Sequence, residues 1–208
     1  MTTAALVVLA IQYAPIAWFR PVVSVLAALT LFEYWQLVAR KAKPLSPKFI
    51  GLFLLGAAVL LVAFAALPLI AEAHGAVMLL YVIAIVKFSD MGGFAVGMST
   101  ARFLPGGNHK MCPTISPNKS WEGLAGSVTA SVVMSLAFLP VTHFALGKAV
   151  ALGVAAALVG TFGDLVESKF KRWVGVKDSA TFMPAGLGGF LDMFDSLIFA
   201  PALFYPFL

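Results

Sequence analysis

From Phe49 to Ile70 the chain carries no charged residue, and apolar runs of comparable length recur from one end of the sequence to the other. A run of about 20 apolar residues is what an α-helix needs to cross the hydrocarbon of a bilayer. In lipid every backbone polar group has to be satisfied internally, so only helices and closed barrels can span it. The runs here lack the strict alternation of barrel strands. With 61% hydrophobic and 11% charged residues and a mean hydropathy of +0.98, the chain falls far from a soluble domain, which has about 25% charged residues. The expected fold is an all-α polytopic membrane protein of about seven transmembrane helices, with little chain left for a soluble domain.

The first run, Thr3 to Phe19, meets Arg20-Pro21, which is expected to break it before a second run from Val22 to Val38. The segment from Arg40 to Lys48 follows, then the run from Phe49 to Ile70, a short turn at Glu72, Ala73 and His74, and a run from Gly75 to about Val96 that holds Lys87 and Asp90 near its later end. A polar segment from Ser99 to Ser120 separates this from apolar runs at Trp121 to Leu139 and Ala149 to Phe162, with His143 and Lys148 at the turn between them. A basic loop and a final span from about Gly188 to Phe207 complete the map. The first twenty residues have no basic n-region and no clear cleavage site, so a retained span is expected there rather than a signal peptide.

Charge distribution supplies a consistency test, because loops on the cytoplasmic side carry the Lys and Arg excess. The segments 40–48, 99–120 and 168–185 hold eleven of the fourteen Lys and Arg residues, whereas the opposite side holds only Arg20 and Lys148. The net charge of +5 is therefore a one-faced membrane pattern, with no nucleic-acid partner implied. The map puts the N-terminus and all three basic segments in the cytoplasm. Cys112 is the single cysteine, which excludes an intrachain disulfide and a cysteine-rich metal site.

Five of the nine carboxylates fall between Asp164 and Ser196: Asp164, Glu167, Asp178, Asp192 and Asp195, interleaved with Lys169, Lys171, Arg172 and Lys177. Charges at membrane depth are expensive and usually functional. On a helix, Asp164, Glu167, Ser168, Lys171 and Arg172 fall along one stripe, and Asp192 and Asp195 share a face. Such acidic groups repel one another unless a cation or a basic partner intervenes, and oxygen-only ligands suit Mg2+ or a similar hard ion. Interfacial caps and ion pairs are the alternative reading of the same spacing.

A second constellation runs from Asp90-Met-Gly-Gly-Phe to Gly97 and on through Pro113 to Gly123. The glycines permit close helix or ligand approach, and Ser116, Asn118, Lys119 and Ser120 are donors of the kind that hold phosphates. A packing face followed by a helix start, with Ser120 as cap and Glu122 in the first turn, accounts for the same residues. His109 and Cys112 supply only two ligands and are read as loop residues rather than a zinc site. Trp121 and Trp173 are read as interfacial anchors.

Ser168-Lys-Phe-Lys171-Arg172, Lys177-Asp178-Ser179, Pro184, Gly188-Gly189, Asp192 and Asp195 together resemble the signature of the phosphatidate cytidylyltransferases, the CDP-diacylglycerol synthases. Residues 163–168, GDLVES, residues 115–123, ISPNKSWEG, and Asp90-Met-Gly-Gly-Phe resemble three further family blocks in the same order, so the resemblance covers about residues 85–205. It implies one integral domain in which 1–84 forms N-terminal spans and 85–208 the catalytic region. It also implies transfer of the cytidylyl group of CTP to phosphatidate, giving CDP-diacylglycerol and pyrophosphate, at the cytoplasmic face of a bacterial inner membrane.

By the same resemblance Asp164, Asp192 and Asp195 would hold Mg2+, in one or two ions. Lys171, Arg172, Lys177 and Asp178 form the catalytic set, and Ser116, Asn118, Lys119, Glu122, Asp90, Glu167 and Ser168 the substrate-binding set. A homodimer is implied, which Gly-rich spans permit. The chain departs from the family where Leu187 stands at an expected histidine and Met193 at a common arginine. A CTP-dependent transferase or kinase acting on another lipid, or a non-catalytic scaffold or transporter of the same fold, are the competing expectations.

Overall fold

A computed structural model describes residues 16–44, 46–176, 179 and 189–208. The polypeptide runs through helices α1 (Ile16–Lys41), α2 (Pro47–His74) and α3 (Ala76–Phe103), then a two-stranded antiparallel hairpin of β1 (Lys110–Cys112) and β2 (Ser116–Ser120). Helices α4 (Trp121–Ala137), α5 (Leu139–Thr142) and α6 (Leu146–Val174) follow. The chain closes with α7 (Phe190–Phe194), a 3-10 turn at Asp195–Leu197, α8 (Ala200–Phe204) and a second 3-10 turn at Tyr205–Phe207.

Among the described residues, five segments are long and apolar enough to cross a membrane: Trp18–Lys41, Pro47–His74, Ala76–Phe103, Leu146–Val174 and Phe190–Phe207. The 28 residues of α2 make a rod of about 42 Å at 1.5 Å per residue. Large apolar side chains point outward along these helices, Leu55 at 68% and Phe94 at 69% exposure among them, which a soluble surface would not carry in such number. The molecule is an all-α membrane protein.

Local chemistry sets the helix ends. Ser46 Oγ accepts from Phe49 N at 3.2 Å with Pro47 at the first position of α2, and Ser120 caps α4 by accepting from Gly123 N at 3.1 Å. Gly75 (φ +87°) separates α2 from α3, so the turn expected at Glu72 to His74 is a single residue. Gly175 (φ +91°) ends α6 after the basic residues 169–172, which are therefore helical rather than part of a loop. Arg20-Pro21 does not break the chain as expected. Pro21 lies inside α1, where its missing N–H removes a single ladder bond. The final span is broken rather than continuous, with Pro201 and Pro206 at the starts of its last two turns.

Consecutive helices run to alternate ends, so the C-terminal ends of α1 and α6 fall together with the hairpin that follows α3. Contacts bear this out: Lys41 and Lys48 lie 5.7 and 5.8 Å from the Trp173 ring, and Lys119 reaches Asp164. At the other end Arg20 pairs with Glu72, and His74 packs edge-on against Tyr205.

Packing of α3 on α4 brings backbone against backbone. A Cβ on Gly92 would meet Gly126 O at 2.5 Å, and one on Gly126 would meet Gly92 O at 2.6 Å. Buried hydroxyls stitch the same helices: Tyr81 to Ser135 at 2.8 Å, Ser131 Oγ to Ile85 O at 3.0 Å, and Ser135 Oγ to Ala149 O on α6 at 2.7 Å. Without a hydrophobic drive between helices in lipid, close packing and such bonds hold a bundle together. The glycines at 92 and 126 are thus used for packing within the chain.

Candidate active site

The last turns of α6 point Asp164, Glu167 and Lys171 toward the chain's final segment. A close approach makes this possible: a Cβ on Gly163 would meet the Asp195 carbonyl at 2.6 Å. Two side-chain clusters result, one on each side of this contact.

In the first cluster, Lys119 of β2 pairs with Asp164. Lys87 of α3 donates to Ser196 Oγ at 3.0 Å and to the Met193 carbonyl at 3.3 Å, and lies 3.5 Å from Asp90 Oδ2. Ser196 Oγ in turn donates to Asp90 Oδ2 at 2.8 Å. Asp90 and Asp195 are the acidic neighbours of Asp164, and Lys87 and Lys119 the basic ones. Asp164 Oδ1 is buried and finds no hydrogen-bond partner among the described residues. Beside it opens a cavity of about 170 Å³ lined by Asp90, Ser116, Asn118, Lys119, Thr161 and Asp164, among others. That is smaller than the roughly 300–1,000 Å³ of a whole-ligand pocket, and suits one phosphorylated portion of a larger substrate.

The second cluster is centred on Lys171, whose ammonium lies 2.8 Å from Glu167 Oε2 and 2.8 Å from Asp192 Oδ1. The other Asp192 oxygen accepts from Gly189 N at 2.8 Å and Ser179 N at 3.0 Å. Glu33 of α1 reaches the same place, accepting from Leu191 N at 3.0 Å and from Ser179 Oγ at 3.5 Å.

Most of the residues singled out from the sequence gather here, with exceptions. Asp192 is taken up by Lys171 and two backbone amides, while Asp164 and Asp195 belong to the first cluster, so the three aspartates do not form one ligand set. Among the described residues no three His, Cys, Asp or Glu side chains come together to hold a metal ion. Glu122 faces away from the cavity; its carboxylate accepts from His109 N at 3.1 Å and meets His109 Nδ1 at 2.6 Å. Arg172 is exposed, and Ser168 is half-buried on α6. Trp173 carries the flanking Lys41 and Lys48 ammoniums, and Trp121 is 58% exposed. Lys177, Asp178, Pro184, Leu187 and Gly188 lie outside the described residues.

Glu33 is the residue that sequence reasoning missed. Its signal was present: a lone carboxylate in the middle of the apolar run Val22 to Val38, a place where ionisable groups are rare without a function.

The sequence profile of the cytidylyltransferase family matches residues 2–208. The chain belongs to the cytidylyltransferase family. It is 43% identical over 123 residues to a phosphatidate cytidylyltransferase of Staphylococcus aureus, covering 58% of this chain and 45% of the relative. It is 38% identical over 143 residues to one of Haemophilus influenzae, covering 64% and 46%, and 41% identical over 114 residues to one of Mycobacterium bovis, covering 53% and 34%. Each alignment spans less than half of the relative's length.

Proposed function

We propose that this chain transfers the cytidylyl group of CTP to phosphatidate, releasing pyrophosphate and forming CDP-diacylglycerol. The observation that carries the reading is the pairing of basic and acidic side chains, Lys119 with Asp164 and Lys171 with Glu167 and Asp192, in two adjoining clusters at one end of the helices. The attacking phosphate oxygen is already an anion, so the chemical difficulty is to bring two polyanions together and neutralise the departing pyrophosphate. Positioned cations meet that need. Lys119, with Ser116 and Asn118 beside it in the cavity, would hold phosphate oxygens; Lys171 would hold the second substrate's phosphate, oriented by Glu167 and Asp192. Arg172, Lys177 and Asp178 belong to the same set by family resemblance.

Mg2+ fits the first cluster. It needs one or two carboxylates together with substrate phosphates, and Asp164 offers a buried oxygen with no partner among the described residues, with Asp90 and Asp195 as acidic neighbours. Asp164 and Asp195 are the residues that would hold it. When bound, the ion supplies charge neutralisation for the phosphoryl oxygens.

Chemistry with cytosolic CTP places the basic end of the helices on the cytoplasmic side of a bacterial inner membrane, in line with the Lys and Arg bias. Helix α4, with 17 residues, is at the lower limit of a span and must cross for α6 to return. The expected seventh span and the side of the N-terminus turn on residues 1–15, which lie outside the described residues. A homodimer stays in the proposal on family resemblance alone.

The test is incubation of the purified full chain in mixed micelles with labelled CTP, Mg2+ and a panel of lipid phosphates and lipid alcohols. CDP-diacylglycerol and pyrophosphate are the expected products. Formation of another CDP-lipid or a phosphorylated alcohol instead would favour a related transferase or kinase, the reading suggested by Leu187 and Met193. No nucleotide turnover with any lipid would favour a scaffold or transporter.

A further inference from the structure

Glu33 sits midway along α1 with no exposed surface and appears in no ion pair among the described residues. A carboxylate kept in that setting costs several kcal/mol unless its oxygens are satisfied. Its satisfaction comes from the opposite end of the chain, 158 residues away: Leu191 N donates to Oε2 at 3.0 Å, and Ser179 Oγ approaches the same oxygen at 3.5 Å. Gly189 lies so close that a Cβ there would meet Oε2 at 2.5 Å and Oε1 at 2.9 Å. All three contacts adjoin Asp192. Ser179 N and Gly189 N both donate to Asp192 Oδ2, and Leu191 precedes it in the chain. Asp192 Oδ1 then holds the Lys171 ammonium at 2.8 Å.

We infer that Glu33 is a positioning residue for the reaction, fixing Ser179, Gly189 and Leu191 so that Asp192 presents Lys171 to the substrate phosphate. The inference rests on the proposed cytidylyl transfer. It also draws the N-terminal spans into the site, because α1 supplies a group that residues 85–208 lack. An apolar side chain at position 33 would be cheaper to bury inside the protein; a carboxylate is explained by what it holds. Buried Oε1, with no partner among the described residues, faces the same segment and adds acceptor capacity there.

The test compares wild type with Glu33→Gln, which keeps shape and one acceptor oxygen but removes the second. With the full chain in mixed micelles, CTP and phosphatidate, kcat is expected to fall about tenfold or more while KM for CTP stays within about twofold, since small displacements of a positioned group cost rate rather than binding. Adding Ser179→Ala to Glu33→Gln should cost less than Ser179→Ala alone, because the two residues share one contact. If Glu33→Gln fails to fold, Ser179→Ala alone carries the test, with kcat reduced about threefold at unchanged thermal stability. Wild-type kcat in the folded Glu33→Gln protein, or in Ser179→Ala where that variant stands alone, overturns the inference.

Should wild type turn over no CTP with phosphatidate, the proposed function fails, and Glu33 is tested separately. In a Cys112→Ser background, Leu191→Cys is buried at a position whose amide Glu33 holds. Maleimide labelling of that cysteine is expected to quicken about tenfold when Glu33→Gln is added, reporting local opening. Equal labelling rates overturn the inference.

Discussion

Lys171 and Asp192 meet at 2.8 Å across the gap between α6 and α7, and the same ammonium is 2.8 Å from Glu167. One cation thus holds two carboxylates near one end of the helices, and the side chains of all three are largely shielded from solvent. Removing a partner from a buried ion pair leaves uncompensated charge and costs about 3–5 kcal/mol. Lys171→Met is therefore expected to lower thermal stability by roughly this amount and to abolish turnover. Adding Glu167→Gln should recover part of the stability but none of the activity. Thermal unfolding in detergent, read alongside CTP turnover, checks both halves.

Asp164 combines a Lys119 partner with a buried oxygen that has none among the described residues. Asp164→Asn keeps the size and removes the charge. Turnover is expected to fall by about a hundredfold or more, with a higher Mg2+ requirement, as for other electrostatic groups of a phosphoryl-transfer site. A Mg2+ titration of the initial rate reads it, and an unchanged Mg2+ dependence would remove Asp164 from the proposed metal site. Chelation of divalent ions should stop wild-type turnover.

Gly189 has no room for a side chain, since a Cβ would press on Ser179 and Glu33. Gly189→Ala is expected to destabilise by about 1–3 kcal/mol as an overpacking change and to reduce kcat, because the displaced backbone carries one of the two amides on Asp192. Comparing kcat per folded protein with the melting temperature separates the two effects.

The contact between α3 and α4 makes a purely structural prediction. Gly92→Leu would drive a side chain into the Gly126 carbonyl and Ala130, and separation of the two helices is expected to cost more than about 2 kcal/mol. Loss of the folded peak on size-exclusion chromatography would register it. Gly51, with nothing within 4 Å of an added Cβ, serves as the control, where Gly51→Leu should be tolerated.

Topology can be read in intact cells. In a Cys112→Ser background, single cysteines at Lys43 and Lys148 should respond oppositely to a membrane-impermeant maleimide, with Lys148→Cys labelled and Lys43→Cys protected until the membrane is opened. The reverse pattern would invert the cytoplasmic assignment.

The membrane class, the helical nature of the spans and the single basic face were legible from hydropathy and charge alone, because in lipid the backbone must be satisfied locally and a long apolar run leaves no other solution. Helix caps at Ser46 and Ser120 were legible in the same local way. Arg20-Pro21 was misleading, since a helix can carry a proline at the loss of one ladder bond, and Pro21 lies inside α1. The stripe of Asp164, Glu167 and Lys171 could be drawn from helical periodicity, but periodicity says nothing about what faces it.

The sequence by itself determined a helical membrane protein with its charge collected near one end of its spans. Tertiary structure decided how that charge is divided. Asp192 and Asp195 are three residues apart, yet Asp192 pairs with Lys171, whereas a 3-10 turn and the close approach at Gly163 leave Asp195 a neighbour of Asp164 and Asp90. Glu122 follows Lys119 closely in sequence, yet the start of α4 turns it toward His109. Glu33, 158 residues from its partner Leu191, enters the site only through helix packing. Spacing along a helix is a local quantity, whereas the pairing of buried charges depends on which helices meet, and in a bilayer that is settled by close backbone contacts between distant segments.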